Sequence, residues 1–229
     1  MNTYSELLGI GLYTVGEAAR LAEVSPARVR GWVRGYDKPT THKPRPAVVG
    51  HALPELDGKL TLTFRELIEV RFVRHFLQAG VSWRAIRRAA TEARRDLLGS
   101  DARTLRFSTD GVTIFANTLA EGGDRKARDL VQNQYVLQLI IAQSIRPEFD
   151  IEASAVIRAW HPRRAAMPAV FLDPRRSFGR PLVEPGIPTR ALASALAAES
   201  GDVAAVARIF DTSDEQVRAA ALFEATVAA

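Results

Sequence analysis

Cysteine is missing from all 229 residues, and that absence removes disulfides, zinc fingers and thiol nucleophiles together. Long apolar runs are missing as well, since no stretch approaches the roughly 20 residues of a membrane helix. No basic segment leading into an apolar run follows Met1, so no signal peptide is expected. The catalytic signatures of several enzyme classes are absent too: there is no P-loop, no Gly-X-Ser-X-Gly and no His-Glu-X-X-His. The stretch Gly9-Ile-Gly11-Leu-Tyr-Thr14 fails the dinucleotide pattern, because Thr14 stands where the third glycine belongs. His42, His51, His75 and His161 never fall at metal-ligand spacing with carboxylates, and Asp173 has no evident acidic partner. Together these absences predict a cytoplasmic, non-membrane protein that needs no cofactor or metal and is not an enzyme.

What remains is ordinary globular material, with 47% hydrophobic and 25% charged residues, enough for two small domains or one large one. The net charge of +5 is unevenly placed. Residues 1–100 hold 16 Lys/Arg against 10 Asp/Glu, whereas residues 101–229 hold 15 against 16. The surplus is carried mainly by arginine, because Lys38, Lys43, Lys59 and Lys126 are the only lysines. A basic head joined to a near-neutral remainder fits a phosphate-binding domain tied to a neutral partner domain. Arginine-rich coding bias is the plainer alternative.

Helix starts are written locally. Thr14-Val-Gly-Glu17, Thr63-Phe-Arg-Glu66 and Ser213-Asp-Glu-Gln216 each place a hydroxyl three residues before a Glu or Gln, the reciprocal capping box. Ser25-Pro26 supplies a capping serine with proline at the first helical position, and Ser82 starts another helix through Trp83, Ile86 and Ala90. The spacing predicts helices over Val15–Ala22 and Pro26–Gly35, joined by Glu23-Val24-Ser25. Pro39, Pro44, Pro46 and Pro54 forbid a helix between Gly35 and Thr61, and Lys38, His42, Lys43 and Arg45 make that segment basic. It reads as a wing that returns through an extended Leu60-Thr61-Leu62.

Helix, short turn and second helix is the geometry that pushes one helix into a major groove. On the second helix Val29 and Val33 lie one turn apart and pack inward. Arg28, Arg30 and Arg34 fan over the other side, where phosphates and guanine edges would lie. A merely solvated arginine face is the alternative reading.

With these residues in place, 13–95 resembles the DNA-binding domain of MerR-type regulators. That family opens with a Thr-X-X-Glu-X-Ala helix, here Thr14, Glu17 and Ala19. It continues with a recognition helix that begins at a serine and carries an arginine and an aromatic, here Ser25, Arg30 and Trp32. A second capped helix then leads from Thr63 to Gly80-Val81-Ser82. The resemblance implies that Arg30 clamps a phosphate of double-stranded operator DNA, that Trp32 lies near the DNA backbone, and that Ser25 caps the helix at the groove. With the basic wing, the DNA-contacting set is Thr14, Ser25, Arg28, Arg30, Trp32, Arg34, Lys43 and Arg45. The wing is longer and richer in proline than the family's, and no long dimerisation coiled coil follows.

Farther on, residues 104–117 read as a β-hairpin around Asp110-Gly111, and a largely apolar helix is expected over Arg128–Ile145. Either could form a homodimer contact. Short strands are expected at Ala155–Trp160 and Ala169–Leu172. The most distinctive stretch runs from Phe171 through Asp173-Pro174-Arg175-Arg176-Ser177-Phe178-Gly179-Arg180-Pro181 to Gly186-Ile187-Pro188-Thr189. Its glycines and prolines fix tight turns before a helix, and three alanine-rich helices follow, broken at Gly201-Asp202 and Asp211-Thr212-Ser213.

This tail resembles a small helical domain of unknown function found in VapB-type antitoxins, the partners of PIN-domain ribonuclease toxins. Its hallmark is Gly-X-Pro followed by Gly-Ile-Pro-Thr. The resemblance implies a chain that neutralises such a toxin and represses its own operon. Arg175, Arg176 and Arg180 are the candidate partner-binding residues, because arginines can compete with metal among active-site carboxylates. They could instead pair within the fold with Asp173 and Glu184. The alternative function is a stand-alone regulator whose C-terminal half binds an effector or dimerises. The expected fold is mainly α: a winged helix-turn-helix over 1–100, a central α/β element with its hairpin over 101–168, and a three-helix domain over 169–229.

Overall fold

The structure, a computed structural model, describes residues 11–36, 45–51, 53, 55–87, 90, 146–151 and 157–228. The 104–117 hairpin, the Arg128–Ile145 helix and Lys43 lie outside the described residues. What is described is mainly helical, with small antiparallel strand pairs.

Strand β1 (Leu12–Thr14) runs directly into α1 (Val15–Ala22), and α2 (Pro26–Arg34) follows after three residues. The turn closes because Glu23 takes up the left-handed conformation (φ 54°, ψ 48°) and the Val24 N–H reaches the Ala19 carbonyl at 2.8 Å. The Thr14 capping box is complete, with Thr14 N–H donating to Glu17 at 2.8 Å and Glu17 N–H to Thr14 Oγ1 at 3.2 Å. The returning strand β2 (Thr61–Thr63) pairs antiparallel with β1, Tyr13 opposite Leu62. Thr63 then caps α3 (Phe64–Gln78) with a second complete box through Glu66. Between α2 and β2 no described residue is helical, as the prolines require. Tyr36 and Arg45 bridge antiparallel, and the Val48 and Val49 N–H groups both donate to the Trp32 carbonyl. Ser82 Oγ accepts from the Ala85 N–H at 3.3 Å to start a helical turn at 83–87.

After a 3₁₀ turn at Arg146–Glu148, β3 (Phe149–Ile151) pairs with β4 (Ile157–Trp160). The strand expected at 169–172 is shorter than its pattern implied. Met167 to Val170 is a turn closed by the Val170 N–H on the Met167 carbonyl, and only Phe171 and Leu172 bridge to neighbours. The hairpin β5 (Leu182–Val183) and β6 (Ile187–Pro188) leads into α4 (Thr189–Ala198), α5 (Val203–Phe210) and α6 (Asp214–Ala228). Asp202 caps α5 through the Ala205 N–H at 2.9 Å, and Ser213 with Gln216 starts α6. The α4 helix packs on both others, burying Leu192, Val206, Val217, Ala220 and Phe223.

One hydrophobic cluster runs through both halves, from Trp32 and Phe76 by way of Trp160 and Leu172 to Phe223. An aromatic column crosses it: Phe72 stacks on Phe149 (6.1 Å, 11°), and Phe149 on Trp160 (6.5 Å, 22°). Beside this column sits Glu148. Its carboxylate accepts from Arg71 at 2.6 and 3.1 Å and from Trp160 Nε1 at 2.9 Å, and contacts His75 Nε2 at 3.3 Å. Burial by itself pushes this carboxyl up, but the bonds from His75, Arg71 and Trp160 outweigh it and hold the pKa at about 2.

A folded pKa below the ordinary 4.5 means stability that is present above pH 4.5 and lost as pH falls toward 2, worth about 3 kcal/mol at neutral pH. Removing one partner of such a buried pair leaves the other uncompensated. Glu148→Gln should therefore lower the unfolding free energy by about 3 kcal/mol at pH 7. It should also flatten the loss of stability between pH 4.5 and pH 2, as urea titrations at several pH values will show.

Candidate nucleic-acid interface

Helix α2 divides as amphipathic spacing requires. Val29, Trp32 and Val33 are buried, while Arg28, Arg30 and Arg34 are exposed on the other side. Ser25 Oγ accepts from the Arg28 N–H at 3.4 Å, and Pro26 occupies the first turn. The last turn is modified by one ion pair, Arg34 with Glu55, both about half exposed. The side chains of Arg28 and Arg30 enter no ion pair or hydrogen bond among the described residues, so their charge faces solvent. Arg45 is exposed on the strand-like bridge to Tyr36.

Trp32 needs correction. It was expected near the DNA backbone, yet it is 2% exposed and packs edge-on against Trp83 at 5.8 Å. Residues 29, 32 and 33 form the i, i+3, i+4 stripe that faces a core, so burial follows from the spacing itself. A buried ring cannot reach a phosphate, and the role left to Trp32 is to seat α2. The indole does border a cleft of about 600 Å³ that is also lined by Arg28, Tyr36, Arg45, Arg74 and Trp83. Its Nε1 is buried with no hydrogen-bond partner among the described residues.

In the tail, Arg176 is engaged within its own loop. Its guanidinium makes a two-pronged contact with Glu184 (2.9 and 2.7 Å), bonds the Pro185 carbonyl and lies 5.3 Å from the Phe171 ring centre. The hydrogen bonds to Glu184 hold Arg176 firmly charged, above the usual guanidinium range, and those bonds hold Glu184 below the usual carboxylate range. Arg176 is therefore a brace within the loop. Arg175 reaches the buried Asp173 through Nε at 3.3 Å but remains half exposed. Arg180 is exposed. The internal pairing with Asp173 and Glu184 thus accounts for two of the three arginines.

Two features that sequence reasoning missed join the halves. Tyr13, 3% exposed, donates from its hydroxyl to the Gly179 carbonyl at 2.6 Å. Burial pushes the Tyr13 phenol far up, with the Glu17 and Asp173 charges adding to the effect. Glu23, at the end of α1, pairs with Arg74 and Arg163 and lies 3.8 Å from Arg71. Burial alone would raise its pKa, but the Arg74 hydrogen bond and the three arginine charges lower it. A sequence separation of 166 or 140 residues leaves no local signal for either contact.

No group of three or more His, Asp or Glu that could hold a metal ion occurs among the described residues, and none of their helices is long and apolar enough to cross a membrane. No protein-family model matches the chain. The chain is 27% identical over 190 residues to VapB45 of Mycobacterium tuberculosis, a candidate antitoxin by its own description. That match spans 76% of this chain and 77% of the relative. The fold is shared with the crystal structure of Rv2018 from Mycobacterium tuberculosis, at a TM-score of 0.65 and 23% identity, over 93% of this chain and 98% of that one. The similarity supports an antitoxin-like family.

Tyr13→Phe keeps the ring and deletes only the bond to Gly179, leaving a buried carbonyl unpaired. It should cost about 1–2 kcal/mol and lower Tm by a few degrees, measured by thermal denaturation with circular dichroism.

Proposed function

We propose that this chain is the antitoxin of a type II toxin–antitoxin pair, binding and silencing a PIN-domain ribonuclease and repressing its own operon through operator DNA. The observation that carries the reading is the pairing of two features in one chain. Its α2 leaves Arg28 and Arg30 uncommitted on an outward face, and three quarters of its sequence is similar to an antitoxin-like protein. The N-terminal unit then acts as a MerR-like winged helix-turn-helix, with α2 in the major groove and Arg45 and Lys43 on the wing. Thr14 and Ser25 sit at the two helix starts; at the α2 start, which has no acidic residue in its first turn, the helix dipole favours a phosphate. Arg34 contributes less than Arg28 and Arg30, because Glu55 already neutralises it. The chain works by binding in the cytoplasm, as a dimer on paired half-sites, rather than by catalysis.

Toxin neutralisation fits the chemistry of the partner. A ring of carboxylates that holds a divalent metal is also a site where a guanidinium makes charge-assisted hydrogen bonds and displaces the cation. Arg180 is exposed and Arg175, though it reaches Asp173, is half exposed, so both stand at the surface where such a contact would form, and Arg176 holds the loop that carries them. A stand-alone regulator is the second reading, favoured by the cleft of about 600 Å³ beside α2, whose lining of Arg28, Arg45, Arg74 and Trp83 suits a small planar anion. In that case a ligand would quench tryptophan fluorescence and no ribonuclease would bind.

Gel-shift titrations against the DNA upstream of the gene test the DNA contact. Arg28→Ala and Arg30→Ala should each cost about 1–3 kcal/mol of operator affinity and lower the salt slope by about one for each phosphate left without its arginine. The toxin complex should stay intact. Undiminished operator binding in the double variant overturns the assignment of α2. Replacing Arg175 and Arg180 together should release ribonuclease activity in the reconstituted pair, and full neutralisation by that variant removes the arginines from the mechanism.

A further inference from the structure

The loop between Asp173 and Pro181 stands out for where it places one residue. Ser177 (φ 48°) and Phe178 (φ 56°) are successive non-glycine residues in the left-handed region, followed by Gly179 at φ 76°. That conformation is uncommon for any side chain and rarer for a bulky one. Strain of this kind persists only where the surroundings over-determine it, and here they do. The Gly179 N–H donates to the Arg176 carbonyl at 2.9 Å and the Arg180 N–H to the Ser177 carbonyl at 3.1 Å. Asp173 Oδ1 accepts from the Arg175 N–H at 2.9 Å, and Arg176 is locked to Glu184. Phe171 and Leu182 close the base of the loop with a pair of hydrogen bonds. From beneath, Tyr13 holds the Gly179 carbonyl, and the approach is so close that a Cβ at 179 would lie 2.3 Å from the Tyr13 hydroxyl.

All of this scaffolding presents Phe178 to solvent. Its side chain is 67% exposed, more than any other large hydrophobic in the described structure. A single exposed aromatic needs no explanation by itself. A strained, rigidly braced one does, because glycine would adopt the same backbone at no cost and the phenyl adds little to the core. We infer that Phe178 is the anchor by which this chain docks on its protein partner, entering an apolar socket with an acidic rim. The two exposed arginines beside it, Arg175 and Arg180, supply the complementary charge for that rim. The inference rests on the antitoxin reading, and it adds an apolar contact to a surface so far read only through its arginines. An aromatic side chain has only two rotatable bonds, so on a braced backbone it loses little entropy on binding, and such residues often dominate interface energetics.

The deciding variant is Phe178→Gly. It removes the ring and relaxes the backbone, so a residue with no folding role should leave Tm unchanged or raise it by about 2–4 °C. Binding is measured by calorimetry between the full chain and the product of the neighbouring gene, which the antitoxin reading expects to be a PIN-domain ribonuclease. An anchor loses about 30-fold or more in affinity on truncation, while Phe178→Leu keeps most of it. Wild-type affinity in Phe178→Gly overturns the anchor and leaves the antitoxin reading standing. A fall in Tm beyond about 4 °C overturns it as well, because the ring then serves the fold. So does loss of operator binding with an intact toxin complex, which would move the loop to the DNA. No complex with the wild-type chain overturns the antitoxin reading and the anchor together.

Discussion

One half-buried carboxylate ties the N-terminal helices to the strands that follow them. Glu148 lies between α3 and the β3–β4 pair and collects Arg71, His75 and Trp160 at once. Each of those donors belongs to a surface that must be buried if Phe72, Phe149 and Trp160 are to stack. The ionic and apolar contacts therefore select the same geometry. An apolar replacement could pack as well, since buried ion pairs add little net energy against hydrophobic isosteres. What the carboxylate adds is direction, because its bonds to Arg71, His75 and Trp160 form together in this placement of β3 against α3.

Glu23 repeats the device one layer outward. It ends α1 in a left-handed turn that sets the angle to α2, and the same side chain reaches Arg74 on α3 and Arg163 beyond β4. The orientation of α2, and with it the outward face of Arg28 and Arg30, is thus fixed partly by residues more than a hundred positions away. Tyr13 does the same for the Phe178 loop through Gly179. The two surfaces read here as DNA-facing and partner-facing are both tied to the stretch Gly11–Glu23. Direct side-chain contacts, from Tyr13 to Gly179 and from Glu23 to Arg74 and Arg163, make that connection.

How much of this could be read from the sequence follows from range. Several devices that act over three or four residues are legible: the Thr14, Thr63 and Ser213 caps, the Ser25-Pro26 start, and the breaks at Gly201-Asp202 and Asp211–Ser213 that set off α4, α5 and α6. Local chemistry determines these, and tertiary packing only confirms them. Trp32 was misplaced for a different reason. Its own spacing with Val29 and Val33 pointed inward, but the family resemblance pointed outward, and periodicity was the better guide. The three-residue β1 and the isolated bridges at Phe171 and Leu172 are too short to show alternation. Glu148, Glu23 and Tyr13 act between residues that no pattern of spacing connects. Their roles appear only once the fold brings the partners together.

The tail shows why an arginine cluster is a poor guide to a binding site until its partners are known. In the sequence, Arg175, Arg176 and Arg180 are equivalent. In the structure they have three different roles: Arg176 is committed to Glu184 and Pro185, Arg175 is shared with Asp173, and Arg180 stands clear. A charge already satisfied internally would have to break those bonds before meeting a partner, so its contribution to affinity shrinks accordingly. An exposed apolar ring carries no such penalty, since moving it out of water is favourable in itself. If this surface docks on a partner as proposed, Phe178 would supply most of the binding energy, and Arg175 and Arg180 the choice of socket.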